Sequence, residues 1–299
     1  MRLVYLGTPE AAVAPMRALA AAGHTIELVV SQPDRKRGRG SALVPSPVKQ
    51  AAVELGLPVT DSVDDVLNTT AELGVVVAFG RLIKPHLLAT MPYVNIHFSL
   101  LPRWRGAAPV ERAILAGDIE TGCCLMALEE GLDTGPVYRR VVTPIDASES
   151  AADLRTRLVS IGSTMLVEAL VDGFRSLGSP VPQSGEPTHA AKLRAEDFHI
   201  DWSQSVATVH ATVRLGQAWT TFRGKRIKIL QSAPSRVTCE LSAQVAPVFP
   251  GAIDGTNIRC ADGWIELITV QPEGKPPMPA AAWLNGARPA SGELLGIPT

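Results

Sequence analysis

The sequence has no apolar run approaching the roughly 20 residues of a bilayer-spanning helix. Its longest ones, such as Leu73 to Phe79, end after one strand's length. Met1-Arg2-Leu3-Val4-Tyr5 runs straight into a strand pattern, so no signal peptide is expected. Cysteines are few: Cys123, Cys124, Cys239 and Cys260. Neither the adjacent pair nor the distant two has the two-residue spacing of zinc ligands, so no metal is expected and all four read as reduced, mostly buried residues of a cytoplasmic protein. The first turn, Gly7-Thr8-Pro9-Glu10, lacks the G-x-G-x-x-G fingerprint, which excludes a nicotinamide dinucleotide enzyme. There is no internal repeat and no low-complexity tract. Acidic residues are absent between Asp201 and Glu240, where Arg214, Arg223, Lys225, Arg226, Lys228 and Arg236 all fall. A second basic cluster is Arg35, Lys36, Arg37 and Arg39. The formal net charge of -1 hides these local positive fields, which attract phosphates. A solvated surface loop or strand reads the same way in sequence.

What is present is ample apolar material, 46% of the 299 residues against 19% charged, spread along the chain. That length exceeds a typical domain of roughly 100 to 200 residues and predicts one large domain and one smaller one. Arg2 to Gly7 reads as a strand, followed by an Ala-rich helix to about Ala22 and a strand at Thr25 to Ser31. The alternation continues through a helix near Ser46 to Leu55, strands at Gly74 to Phe79 and Tyr93 to Phe98, a helix near Ala107 to Ala116 and a strand at Cys123 to Leu128. This predicts an α/β fold with a mostly parallel, Rossmann-like sheet covered on both faces, with sites where loops leave the carboxyl ends of strands. After a helix at Ala151 to Phe174, the Gly, Pro and Ser residues of Gly173 to Pro187 read as a linker. Beyond about Ala190 come one helix, Ser203 to Arg214, and short strands at Lys225 to Ser232, Asn257 to Cys260 and Trp264 to Val270, the pattern of a small β-barrel or sandwich. The expected division is a catalytic domain at 1–178, a linker at 179–199 and a second domain at 200–299.

The stretch richest in chemistry is Asn95-Ile96-His97-Phe98-Ser99-Leu100-Leu101-Pro102, at the end of a predicted central strand and leading into Arg103-Trp104-Arg105-Gly106. Residues two apart on a strand share a face, so Asn95 and His97 point together. An Asn amide can stabilise a developing oxyanion, and His handles protons near neutral pH. A buried, hydrogen-bonded structural pair would have the same sequence. In Gly131-Leu132-Asp133-Thr134-Gly135, the carboxylate can reach an imidazole and orient it, or can cap its own turn.

Together these residues resemble the formyltransferase family that uses N10-formyltetrahydrofolate, in which an Asn, a His and an Asp surround the formyl carbon. Asn95, His97 and Asp133 stand in their own motifs, with Ser99-Leu100-Leu101-Pro102 as the signature loop. The resemblance extends over nearly the whole chain and is strongest to the methionyl-tRNA formyltransferases. It is carried by Leu6-Gly7-Thr8-Pro9-Glu10, Gln32-Pro33-Asp34-Arg35, Gly38-Arg39-Gly40, Pro45-Ser46-Pro47-Val48-Lys49, Arg103-Trp104-Arg105-Gly106-Ala107-Ala108-Pro109, Ile200-Asp201-Trp202, and Gln271-Pro272 with Gly274-Lys275.

The resemblance implies attack by a methionyl α-amine, which titrates at about 7.7–8.0 in model compounds, on the formyl carbon without a covalent enzyme intermediate. Asn95 and His97 then serve the formyl oxygen and proton handling, and Asp133 orients His97. N10-formyltetrahydrofolate is the co-substrate, expected in a pocket lined by Phe79, Gly80, Leu82 and Ile83 and by Ser99, Leu100, Leu101 and Pro102. The other implied substrate is methionyl initiator tRNA, met by Arg35, Lys36, Arg37 and Arg39 in a loop with mobile glycines, and by Arg214, Arg223, Lys225, Arg226 and Lys228 on an OB-like second domain. A monomer is expected. The sequence departs from the family at Phe98, where a small residue is usual. Alternation should turn its ring away from His97 into the core. Cys123-Cys124 and Glu129-Glu130 also depart from the usual residues without removing a catalytic atom. A sugar-amine formyltransferase and a non-catalytic RNA-binding relative are the competing readings; the Pro33 to Gly40 insertion argues against the first and the intact Asn, His and Asp against the second.

Overall fold

The strand patterns assemble as sequence alternation requires. A computed structural model describes residues 1–36, 43–235 and 249–296. Two compact units emerge, the first built from 1–110, 120–144 and 154–192, and the second from 111–119, 145–153 and 193 onward.

The first unit is a seven-stranded sheet. Its strands are β1 (Arg2–Gly7), β2 (Thr25–Val30), β3 (Val59–Thr60), β4 (Leu73–Val77), β5 (Tyr93–His97), β6 (Glu120–Ala127) and β7 (Val137–Pro144). They lie in the order β7-β6-β5-β4-β1-β2-β3. β1 through β5 pair in parallel, and β6 and β7 add an antiparallel edge. Every residue of β4 and β5 is buried, as strands covered on both faces demand. Each such valine or leucine contributes about 1.5–3 kcal/mol over an exposed one. Helix α1 (Val13–Ala21) follows β1, where the buried Tyr5 hydroxyl donates to Ala12 O at 2.6 Å. Helix α2 (Pro47–Glu54) starts where sequence rules put it: Ser46 accepts from Lys49 N, and Pro47 occupies a first-turn position that needs no donor. Helix α3 (Pro109–Leu115) follows the loop after β5, and helix α4 is the long Ala151–Leu170 segment.

Two elements differ from the sequence expectation. β7 was hidden because its middle residues are exposed on an edge, so Arg139-Arg140-Val141-Val142 shows no apolar alternation. The expected spacer is packed instead. Val181 exchanges backbone hydrogen bonds with Val137, and His189–Ala190 pairs in parallel with Arg105–Gly106.

The second unit is an antiparallel sheet, in agreement with a Rossmann-like fold followed by a small OB-like β domain. It contains helix α5 (Val206–Arg214), then β8 (Trp219–Phe222), β9 (Lys225–Pro234), β10 (Ile253–Asp254), β11 (Asn257–Arg259), β12 (Trp264–Pro272) and β13 (Met278–Pro279), and last helix α6 (Ala280–Ala287). The order is β8-β9-β12-β11-β10, with β13 on β12. Ile200-Asp201-Trp202 is a structural motif: Ile200 and Trp202 enter the core, Trp202 Nε1 donates to Thr220 at 3.0 Å, and Asp201 caps the following turn through Ser203 N.

His210 on α5 is held in its neutral form. Its Nε2 donates to Ala147 O at 3.2 Å, which leaves Nδ1 to accept from the Ser232 hydroxyl at 3.1 Å. Burial first, and then the Arg214 charge, lowers its pKa against the opposing Ala147 bond. A depressed folded pKa means that the unfolded chain takes up the proton first, so this stability is present above the ordinary His range and is lost as pH falls through it. The thermal midpoint should therefore drop between about pH 7 and pH 5, and His210→Gln should flatten that slope; parallel curves for both proteins would exclude the assignment.

Candidate active site

The carboxyl ends of β1, β4 and β5 open onto a cavity of about 510 Å³, within the roughly 300–1,000 Å³ of small-molecule sites. β1 is the strand from which the chain winds both ways, so this is the crevice where α/β sheets carry ligands. Pro9 comes from the first turn, Phe79 to Ile83 from the segment after β4, Asn95 and His97 from β5, and Leu128 to Asp133, except Glu130, from the loop after β6. Two side chains tie the first wall to its neighbours: Thr8 Oγ1 and Gln32 Nε2 both donate to Phe79 O, at 3.0 and 2.9 Å.

Asn95 and His97 share the cavity face of β5, both buried. Among the described residues the Asn95 amide has no hydrogen-bond partner, so its donors remain available to a ligand. Nε2 of His97 lies 2.8 Å from Trp104 O, and since a carbonyl has no proton to give, Nε2 is the donor. The neutral ring therefore presents a lone pair at Nδ1, which lies 3.6 Å from Asp133 Oδ2. That oxygen also accepts from Gly106 N at 2.8 Å. Nδ1 and the carboxylate are thus two acceptors aimed at one another across 3.6 Å.

The backbone around this pair is unusual. Ala78, Trp104 and Asp133 have positive φ values of 46°, 63° and 53°, conformations that cost of order 1–3 kcal/mol each. All three border the site: Ala78 and Asp133 line the cavity, and Trp104 supplies the carbonyl that holds His97.

The two segments expected to meet the folate stand differently to the cavity. Of the proposed folate loops, Phe79, Gly80, Leu82 and Ile83 line the cavity, whereas Ser99, Leu100, Leu101 and Pro102 do not. Ser99 Oγ donates to Arg103 O at 2.6 Å, and Leu101 O accepts from Arg140 at 2.6 Å, so the loop is spent on shaping the turn behind His97. Sequence reading missed Gly106 N and Trp104 O as partners of the pair. The signal was the Arg103-Trp104-Arg105-Gly106 string, whose main-chain groups do the work. The Phe98 ring and Ile96 pack where Gly162 of α4 leaves room, a Cβ there lying 3.5 Å from Phe98 Cε1 and 2.9 Å from Ile96 Cγ2, although both residues also border the cavity. The thiols take no part: Cys123, Cys124 and Cys260 are free and buried, and burial pushes Cys123 and Cys260 up to about 12. Cys239 lies outside the described residues. Among the described residues no cluster of metal-ligating side chains occurs, and no helix is long and apolar enough to cross a membrane.

The basic residues divide sharply. Arg214 is not available as a surface cation, because its guanidinium donates to Glu149 O and Asp146 O at 2.8 Å each. Arg223 is engaged by Glu293 at 2.5 and 2.7 Å and by Ala287 O at 3.1 Å. Arg226 lies over the Trp219 ring at 4.2 Å. Lys225 and Lys228 are exposed on β9 and, among the described residues, have no carboxylate partner. Arg35 and Lys36 are exposed on a short ladder with Leu43–Val44, while Arg37 and Arg39 lie outside the described residues.

Residues 1–170 match the model of the formyl transferase family, and residues 192–288 match that of the formyl transferase C-terminal domain. The chain belongs to the formyl transferase family. Formyl transferase relatives of similar length include the methionyl-tRNA formyltransferase of Jannaschia sp., 40% identical over 99% of this chain and 100% of that protein. That of Clavibacter michiganensis is 42% identical over 96% and 97%. The fold recurs in solved structures. An N-formyltransferase from Helicobacter canadensis, solved with folinic acid and dTDP-3-aminofucose, has a TM-score of 0.67 at 18% identity, covering 89% of this chain and 98% of that one. Aquifex aeolicus HypX with tetrahydrofolic acid gives 0.65 at 19% identity over 97% of this chain, which spans about half of HypX, 48%.

Gly106 ties the loop to this centre at φ 122°, and a Cβ there would lie 2.8 Å from Ala190 O. Gly106→Ala should lower stability by about 1–3 kcal/mol. A urea midpoint equal to wild type would show that the loop has slack.

Proposed function

We propose that this chain transfers the formyl group of N10-formyltetrahydrofolate to the α-amino group of methionyl initiator tRNA, giving formylmethionyl-tRNA for translation initiation. The observation that carries the reading is the unspent Asn95 amide beside the His97–Asp133 pair on one cavity. The methionyl-tRNA formyltransferases of similar length support the acceptor. The chain's residues fit the folate: an apolar cavity of suitable size, edged by the main chain of Phe79 to Ile83, with an amide donor at its floor. Folate supplies the formyl carbon.

In this reading Asn95 donates to the formyl oxygen and gains most as negative charge develops there, which is how a fixed donor accelerates acyl transfer. The attacking amine sheds a proton, and Nδ1 of His97 with Asp133 Oδ2 holds it until the departing nitrogen of the carrier takes one. Trp104 O keeps the ring from turning while this happens. In this reading catalysis belongs to the first unit and tRNA contact to the second. Lys225 and Lys228, with Arg226 on its tryptophan, are the tRNA contacts of the second unit, and Arg35 and Lys36 those of the first, joined by Arg37 and Arg39. The same reading has the protein act in the cytoplasm as a monomer.

Purified protein should formylate methionine-charged initiator tRNA, with charged elongator tRNA and a nucleotide-linked amino sugar as poor acceptors. Rapid transfer to the sugar alone would overturn the acceptor. Asn95→Ala, His97→Ala and Asp133→Asn should each lower turnover at least about 100-fold with tRNA binding nearly unchanged; near-normal rates in any of them would refute its role. Lys225→Ala with Lys228→Ala should weaken tRNA binding and reduce the slope of log affinity against log salt by roughly 1.5. Folate affinity should not move, and an equal loss there would contradict the tRNA role.

A further inference from the structure

Both immediate partners of the His97 ring sit on strained backbone, and both are tied to one strap, residues 181–190. Trp104 N donates to Thr188 Oγ1 at 2.8 Å, Arg105 N to Thr188 O at 2.9 Å, and Ala107 N to Ala190 O at 2.8 Å. On the other side stands Gln183. Its Nε2 donates to Asp133 O and to Gly135 O, each at 2.8 Å, and its Oε1 accepts from Arg105 Nε and Nη2 at 3.0 and 2.7 Å.

The chemistry of these partners fixes which way the amide points. Two carbonyls require the NH₂ group and a guanidinium requires the oxygen, so a reversed amide would set like against like at every contact. Gln183 thereby bridges the Trp104–Gly106 loop, whose carbonyl holds the imidazole, to the Asp133–Gly135 loop, whose carboxylate faces it. It adds to the Gly106 N–Asp133 Oδ2 bond, which joins the same two loops directly. Across these two loops Nδ1 of His97 and Oδ2 of Asp133 face one another at 3.6 Å. Trp104 at φ 63° and Asp133 at φ 53° persist only where surrounding bonds over-determine them. Thr188 and Gln183 supply bonds at those two residues. Two further main-chain contacts fix the strap itself, Val181 with Val137 and Thr188 N with Pro102 O, beside the pairing of His189–Ala190 with Arg105–Gly106 to which the bonds above belong.

We propose that Gln183 is a positioning residue for the transfer reaction, and that with Thr188 it sets the register of the His97–Asp133 pair on which proton handling depends. The inference rests on the function proposed above. It assigns a catalytic consequence to a segment that composition marks as a spacer, and it needs no contact between Gln183 and either substrate.

The test is steady-state turnover against pH for Gln183→Ala, Gln183→Glu and Thr188→Val, with folding followed by circular dichroism. Gln183→Glu keeps an acceptor for Arg105 but turns oxygen toward two carbonyls, so it separates the two halves of the bridge. Thr188→Val keeps the shape and removes the acceptor offered to Trp104 N, and it serves if the Gln183 variants fold poorly. Each variant should lose about 10- to 100-fold in kcat, as misplacement by an ångström does, with KM for the folate donor within about threefold of wild type. The pH profile of kcat should shift with it, which a loss of stability alone does not cause. Combining Gln183→Ala with Asp133→Asn should turn over no more slowly than Asp133→Asn alone, because the bridge acts through that carboxylate. Wild-type kcat and pH profile in folded Gln183→Ala, restored kcat in Gln183→Glu, or losses that multiply in the double variant would each overturn the proposal. If His97→Ala and Asp133→Asn themselves retain turnover, the reading of the site falls and this inference with it. If they lose it while Gln183 variants do not, only the positioning role fails.

Discussion

The hydrogen bond from His97 Nε2 to the Trp104 carbonyl is the constraint on which the rest of the site depends. A carbonyl has lone pairs and no proton, so this one contact decides which ring nitrogen carries hydrogen and which faces the cavity. It also makes ring orientation a property of the main chain. The carbonyl can reach the imidazole only because Trp104 adopts a left-handed conformation, and that conformation passes the chain on to Gly106, whose N–H takes Asp133. Tautomer, carboxylate placement and loop path are thus a single geometric solution.

The sheet supplies the frame for it. Parallel strands deliver their carboxyl ends to one edge, and burial on both faces of β4 and β5 leaves those ends little freedom. Asn95, Ile96, His97 and Phe98 all border the cavity, and the side chains of Ile96 and Phe98 also reach the α4 side, where Gly162 gives them space. A bulky residue next to a catalytic candidate is accommodated because its ring finds room beside Gly162. The antiparallel edge matters as well, since β6 is what carries the chain to the Asp133 loop.

Much of this was legible in the sequence, and the reason is periodicity. β1, β2, β4 and β5 announce themselves as apolar runs, α2 by Ser46 and Pro47, and the Asn95–His97 pairing by a spacing of two. What stayed hidden lies where side chains do not reveal what the backbone does. β7 pairs along an exposed edge, so its arginines and valines show no pattern. In the Ser99 to Pro102 motif, Ser99 Oγ and Leu101 O are engaged within the protein, by Arg103 O and Arg140, which the sequence does not reveal. Arg214 reads as a free cation in an acid-free stretch, but it pairs with main-chain carbonyls, which no count of acidic residues reveals. The strap at 181–190 reads as a spacer because its work is done by one glutamine, one threonine and the peptide groups between them.

That strap has a consequence for how the protein is made. The bonds that complete the centre link Trp104 with Thr188, Arg105 with Gln183 and Asp133 with Gln183, so they close over separations of 84, 78 and 50 residues. A ribosome delivers the chain from its amino end, and the sheet, His97 and Asp133 all emerge well before residue 183. During synthesis these bonds therefore cannot form until residues 183 and 188 have been added to the chain. Closing of the site waits for the last residues of the first unit, so the order of translation sets the order in which fold and chemistry arrive.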